Sequence, residues 1–343
     1  MLGEPRLHGA TALLLATALL AATCRDAGHE PDMQLPLIDL TPAEVSPALG
    51  SRSYAHADQL VQFGPRFTGS PGWAKALEYI SNTLRQTTGR EPVRDRWTDP
   101  VHGVTFENIH LTIRGRSPHR IVLAAHHDTK KCEGHPDPDH NFHFVGANDS
   151  GSGVGLLLAL AEELATQRHE ATLQFVFFDG EECLDFDWDS ARPETKALFG
   201  SRRFVAAERE RELAGDQDGA IKAMVLLDMV GAKDLQIDLV TNSDPNLRDI
   251  IRSAAHACGH QKVFFGQSHA VRDDHVPFLD AGIPAIDLID LKDNPQWHTA
   301  DDTMEHISAD SLKLVGEVVV TALPAIEQRF VRTPGDLVLP SKR

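Results

Sequence analysis

Short apolar runs alternate along the chain with segments whose apolar residues recur every three or four positions. The runs Phe106–Ile113, Arg120–Ala125, Leu173–Phe178, Ala223–Leu227, Leu235–Val240 and Pro284–Ile289 predict strands, several apolar on both faces and therefore buried. Between them lie predicted helices. Trp73, Leu77, Ile80 and Leu84 share one face of a helix that Ser70 caps, Pro71 enters and Gly89 ends. Further helices are predicted from Val154 to Leu164, over Gly200–Glu212, and from Asp244-Pro245 to Gly259 with Leu247, Ile250, Ile251 and Ala254 facing inward. Val276–Ala281 predicts a short helix or turn. A last helix starts at Ser308 and Asp310 and carries Leu312, Val315, Val319 and Leu323. Strands alternating with helices predict an α/β fold: a single domain with a central, mostly parallel twisted sheet flanked by helices on both faces. No internal repeat and no second composition block is visible, so one domain over residues 48–332 is expected, with a tail at 333–343.

The N-terminus stands apart from this alternation. Arg6 and His8 precede an apolar run from Ala10 to Ala22, too short to span a bilayer and typical of a signal-peptide core. Residues 1–24 are therefore expected to be a signal peptide. Cys24 follows at the place where a bacterial lipoprotein is cleaved and lipidated, although Ala21 stands where leucine is usual. Export is expected, to the periplasm or cell surface as a lipoprotein or as a secreted chain. The polar, proline-bearing residues 25–47 read as a tether.

Composition narrows the function. The chain has 343 residues, of which 41% are hydrophobic and 24% charged, ordinary for a globular protein. Its net charge of −17 excludes a protein that tracks nucleic-acid phosphates, which needs a basic face. Eighteen histidines keep metal binding in play. Beyond Cys24 only Cys132, Cys183 and Cys258 remain, an odd and sparse set that forms no disulfide framework and has no zinc-finger spacing.

The chemistry gathers at the strand ends. The run Phe175–Phe178 stops at Asp179-Gly180-Glu181-Glu182, where adjacent carboxylates repel and lose solvation near a core. An acidic surface loop is the ordinary reading of such a pair. Other metal-ligand types end other strands, however: His126 after Ala125, Asp228 after Leu227, and His298 a loop beyond Ile289. Asp149 sits at a helix start beside them. In a parallel sheet these positions converge outside the carboxyl ends of the strands. Imidazole and carboxylate are the ligands zinc takes when thiolate is absent. The glycine-rich turn Gly146–Gly153 is a poor phosphate cradle, because no Gly-Lys-Ser/Thr follows and Asp149 would repel the anion.

These motifs resemble the zinc-dependent exopeptidases with a co-catalytic metal pair and the animal-type glutaminyl cyclases that share their fold. The resemblance covers about Gly50 to Ala325 and rests on His126-x-Asp128, Gly146-Ala147-Asn148-Asp149, Glu181-Glu182, Leu227-Asp228-Met229 and His298. It implies a zinc held by Asp149, Glu182 and His298, and in the aminopeptidases a second zinc at His126 and Asp228, bridged by Asp149. Phe144–Ala147, Phe177–Glu182, Asp273-Asp274-His275 and Trp297-His298-Thr299 resemble the cyclases more. The implied reaction is conversion of an N-terminal Gln to pyroglutamate with loss of ammonia, at the N-termini of peptides or proteins. Glu181 would then carry the proton, Asp273 and Asp228 would hold the leaving nitrogen, and Trp188, Trp297 and Met229 would contact the substrate. The alternative is a di-zinc aminopeptidase in which Glu181 activates a metal-bound water. Asp287 stands where animal cyclases usually have histidine, and Ala125 occupies the position of one of their disulfide cysteines. Asn148 and Gly151-Ser152-Gly153 look more like the aminopeptidases.

Overall fold

The computed structural model describes residues 36–186, 196–215 and 219–332. The signal-peptide run, Cys24, Trp188 and the expected tail 333–343 lie outside the described residues. Within them the chain runs α1 (Leu49–Val61), α2 (Pro71–Thr88), β1 (Val93–Thr98), β2 (Thr105–Ile113), β3 (Arg120–His126) and α3 (Gly153–Leu164). It continues through β4 (Thr172–Phe178), α4 (Phe199–Leu213), β5 (Ile221–Asp228), β6 (Ile237–Val240) and α5 (Pro245–Ala257). The last elements are β7 (Phe264–His269), α6 (Val276–Asp280), β8 (Ala285–Ile289) and α7 (Ala309–Ile326).

Six strands form one mixed sheet in the order β1-β2-β4-β3-β5-β8. The four strands from β4 to β8 are parallel, and β1 and β2 extend the sheet antiparallel. Alternate residues of the buried strands point to opposite faces, as the pleat requires. Val225 and Leu227 of β5 join the large core under α1, α2, α3, α5 and α7. Met224 and Leu226 of the same strand join a smaller core with Phe204 and Val205 of α4 and Phe278 of α6. The connection from β3 to β4 passes through α3 on the first face; that from β4 to β5 passes through α4 on the second. The strand order therefore reverses around β3, which opens a crevice at the carboxyl ends of β4, β3 and β5.

Four features were not predicted. Strand β1 is mostly exposed and carries Arg94, Asp95 and Arg96, so apolar periodicity gives no sign of it. Helix α1 buries Gly50, Ser53 and Ala57 along with Leu49 and Leu60; its inward stripe is largely small. Small residues are needed there because α3 and α7 come close: a Cβ on Gly50 would lie 2.1 Å from the Ala309 carbonyl oxygen. The predicted strand at Leu235–Val240 exists as β6, but it pairs with the unpredicted β7 in a separate parallel sheet. Residues 37–47 of the expected tether are also held to the domain. Ile38 N–H donates to Ser253 Oγ (3.1 Å), Ala43 N–H donates to Thr321 Oγ1 (3.0 Å), and Leu40 and Val45 pack on the core.

Candidate active site

The crevice gathers the strand-end residues into two donor sets that share one carboxylate. His126, Asp149 and Asp228 form the first; Asp149, Glu182 and His298 form the second. The ligand atoms within each set lie within 4.8 Å of one another. In the first set His126 Nε2 is 3.3 Å from Asp149 Oδ1 and 3.2 Å from Asp228 Oδ1. In the second His298 Nε2 is 3.2 Å from Asp149 Oδ2 and 3.0 Å from Glu182 Oε1. Each imidazole thus uses Nε2 towards the shared centre, and Asp149 lends one oxygen to each side.

Local structure fixes each group. Asp128, two residues past the end of β3, accepts from the backbone N–H of Glu181 and of Glu182, both at 3.2 Å, and so holds the turn after β4 against β3. That turn needs glycine at 180, where φ is +68° and a Cβ would lie 2.5 Å from the Phe106 ring. Asp179 is buried beneath it and accepts from Thr68 Oγ1, Trp73 Nε1 and Glu107 N–H. Asp302 accepts from the N–H groups of Asn148 and Asp149 at 2.7 and 3.1 Å and anchors the loop that presents Asp149. Arg66, wholly buried, donates to the carbonyls of Val145 and Gly146 at the start of that loop. His298 has φ +53° and Met229 φ +48°, a left-handed backbone uncommon outside glycine. Strain of this kind concentrates at functional sites.

The electrostatics call for a cation. Burial drives the carboxyl pKa values of Glu181, Asp228 and Asp273 above the ordinary range, and neighbouring carboxylates push them further. Asp149 goes the other way: burial opposes its charge, but hydrogen bonds from His126 and His298 outweigh it. Burial likewise opposes charge on His298, yet Glu182 and Asp149 hold its pKa up at about 9. Without a metal, each Nε2 has at most one proton to set between the two carboxylate oxygens it faces. Glu182 Oε2 is buried with no hydrogen-bond partner, although Glu182 is only 4% exposed. An orphaned carboxylate oxygen within a set of oxygen and imidazole donors fits a divalent ion such as zinc.

Beside the second set lies a cavity of about 330 Å³, whose lining includes the carboxyls of Glu181, Asp228 and Asp273, Arg272, and the apolar Val271, Ile289, Leu291 and Trp297. Trp297 stacks on His298 at 4.4 Å between ring centroids. The side chain of Met229 sits behind the cavity wall. It is 1% exposed and is not a lining residue; it packs in a cluster with Val240, Val271 and Ile289, and so supports the apolar wall from behind. Of the residues that fix these groups, Asp302 and Arg66 lie outside any strand-end motif, and Asp128 belongs to the motif His126-x-Asp128.

With this geometry in hand, comparison with known proteins is informative. The model of peptidase family M28 matches residues 108–323. A glutaminyl cyclase from an Acidobacteriales bacterium is 35% identical; the match covers 85% of this chain and all of that one, with a TM-score of 0.72. A glutaminyl-peptide cyclotransferase-like protein of Bos taurus is 28% identical over 284 residues, 75% of this chain and 71% of that protein. A leucine aminopeptidase precursor from Bacteroides thetaiotaomicron is 25% identical, covering 83% of this chain and 99% of that one with a TM-score of 0.72.

Proposed function

The chain belongs to peptidase family M28, and within that family we infer that it is a glutaminyl-peptide cyclotransferase. It converts the N-terminal Gln of a peptide to pyroglutamate with release of ammonia. One observation in the site carries this reading: Glu181 and Asp273, two buried carboxyls outside the second donor set, face one small cavity with apolar walls. Hydrolysis needs one base and room for water. Cyclisation needs a group that moves a proton between two nitrogens of the same residue and a second that holds the nitrogen.

Asp149, Glu182 and His298 would hold a zinc ion, whose contribution is to polarise the side-chain amide oxygen of the substrate. Val271, Ile289, Leu291 and Trp297 would enclose the Gln side chain and keep water out. The α-amine nitrogen forms a bond to the side-chain amide carbon, and the bond from that carbon to the amide nitrogen breaks. Glu181 would take the proton that the amine gives up and return it to the departing nitrogen, which leaves as ammonia. Asp273, with Asp228, would accept hydrogen bonds from that nitrogen. The raised pKa of Glu181 suits a group that must both accept and return a proton.

A second reading is favoured by the completeness of the first donor set. His126, Asp149 and Asp228 could hold a second metal ion, as an aminopeptidase requires, and Glu181 would then deprotonate water. Metal analysis and product analysis on the purified chain separate the two. About one zinc per chain, with ammonia released from a Gln-initiated peptide, supports the cyclase; two zincs with free amino acid released from the same peptide supports the peptidase.

The setting is part of the proposal. The apolar run Ala10–Ala22 supports export, with Cys24 as an attachment point for lipid, and substrates would be peptide or protein N-termini met outside the cytoplasm. The charge of −17 speaks against nucleic acid as a partner. No helix among the described residues is long and apolar enough to cross a membrane, so membrane association would come through Cys24.

A further inference from the structure

The loops that follow the two strands of the small β6–β7 sheet grip the segment that carries Asp273. Asn242 follows β6 and Val271 follows β7. Asn242 Oδ1 accepts from Val271 N–H at 3.0 Å, and Asn242 Nδ2 donates to the Val271 carbonyl at 2.8 Å. These two backbone bonds determine which way the amide faces. The remaining contact of Nδ2 is His275 Nε2, at 3.0 Å. An amide nitrogen only donates, so Nε2 must be the bare, accepting nitrogen of the ring. His275 is fully buried, and burial lowers its pKa to about 4, so the ring is neutral and its single proton sits on Nδ1.

That proton faces Asp287. His275 Nδ1 is 3.7 Å from Asp287 Oδ2, and neither this nitrogen nor either Asp287 oxygen has a hydrogen-bond partner. Asp287 is itself 0% exposed. Its own N–H donates to Ser243 Oγ at 3.2 Å, so consecutive residues 242 and 243 hold both sides of the His275–Asp287 contact. Asp273 lies two residues before His275 and lines the cavity, with its Oδ2 also buried and without a partner.

We propose that Asn242 is a positioning residue that locks His275 in the Nδ1–H tautomer, so that the ring directs its one proton at Asp287 and the loop that carries Asp273 is held over the cavity. The simpler alternative is that Asn242 only ties two loops together, with His275 free to carry its proton on either nitrogen. Asn242→Asp distinguishes the two. An aspartate keeps the acceptor for Val271 N–H but presents His275 Nε2 with an acceptor, which draws the ring proton to Nε2 and leaves Nδ1 unable to donate.

The test is a long-range ¹H–¹⁵N correlation spectrum of the metal-loaded, histidine-labelled enzyme, with the His275 signals identified by their loss in His275→Gln. The wild type is expected to show a protonated Nδ1 and a bare Nε2, and Asn242→Asp the reverse. Cyclisation of a Gln-initiated peptide by Asn242→Asp should then fall about 10- to 100-fold in kcat, the size usual for loss of an outer hydrogen bond, with KM within about twofold. A wild-type ring protonated on Nε2 overturns the proposal, and that measurement stands even if the variant does not fold. So does an inverted tautomer with kcat within about twofold of wild type. The kinetic arm rests on the cyclase reading; a wild type that releases no ammonia would sink that reading while the spectrum still decides the tautomer.

Discussion

Glu181 and Glu182 are neighbours in sequence with different surroundings. Glu182 Oε1 meets His298 Nε2, whereas Glu181 lines the cavity facing Asp273. Both backbone N–H groups rest on the one carboxylate of Asp128, which fixes the direction in which the two side chains leave the turn. Removing the charge of Glu181 should therefore leave metal binding intact while stopping the proton transfer. Glu181→Gln is expected to keep its zinc by elemental analysis and to lose about 10²- to 10⁴-fold in kcat. Near-normal turnover in that variant would contradict the role given to Glu181.

The elements that carry these groups depend on close packing at the first turn of α3. A Cβ on Gly153 would lie 2.2 Å from the Leu227 carbonyl oxygen and 3.3 Å from Ala125 Cβ, between the ends of β5 and β3. Gly153→Ala must push α3 away from the sheet. The expected cost is about 1–3 kcal/mol of stability, measurable as a lower urea midpoint with an unchanged slope. Weaker metal binding should accompany it, because Asp149 precedes this turn. The same region shows why some elements were legible and others not. Strands β3, β4, β5 and β8 are buried along almost their whole length, so the fold class can be read from them, and His126 and Asp228 end β3 and β5, while the other ligands follow in loops or at a helix start. Helix α1 buries a largely small stripe, β1 is mostly exposed and charged, and β7 buries only one of its six residues, so apolar periodicity marks none of the three. Asn242, Arg66 and Asp302 act through hydrogen bonds to residues far away in sequence, which no periodicity records. The adjacency of Met229 to Asp228 gives no information about which way its side chain leaves a left-handed backbone.

Taken together, the domain buries more carboxylate than its own cations neutralise. Burial raises Asp274 to about 7 and Asp302 to about 7, and it raises Asp273 and Asp287 well above the ordinary range. A carboxyl whose pKa is higher folded than unfolded binds its proton more tightly in the folded state. The resulting stability is fully present below the unfolded pKa and is lost as pH rises through the folded one. For Asp274 and Asp302 that window runs from the ordinary carboxylate range up to about 7. Metal-free protein is therefore expected to melt at progressively lower temperature as pH is raised from about 5 to about 8. Zinc should flatten that slope by supplying the missing positive charge. A metal-free protein whose melting temperature rises over this range would contradict that account.

The reaction itself is tested most directly by the mass of the product formed from a Gln-initiated peptide. Cyclisation predicts a peptide lighter by one ammonia, with every residue retained and no free amino acid in solution. A peptide shortened by its first residue, with free glutamine released, would contradict it and identify the chain as an aminopeptidase.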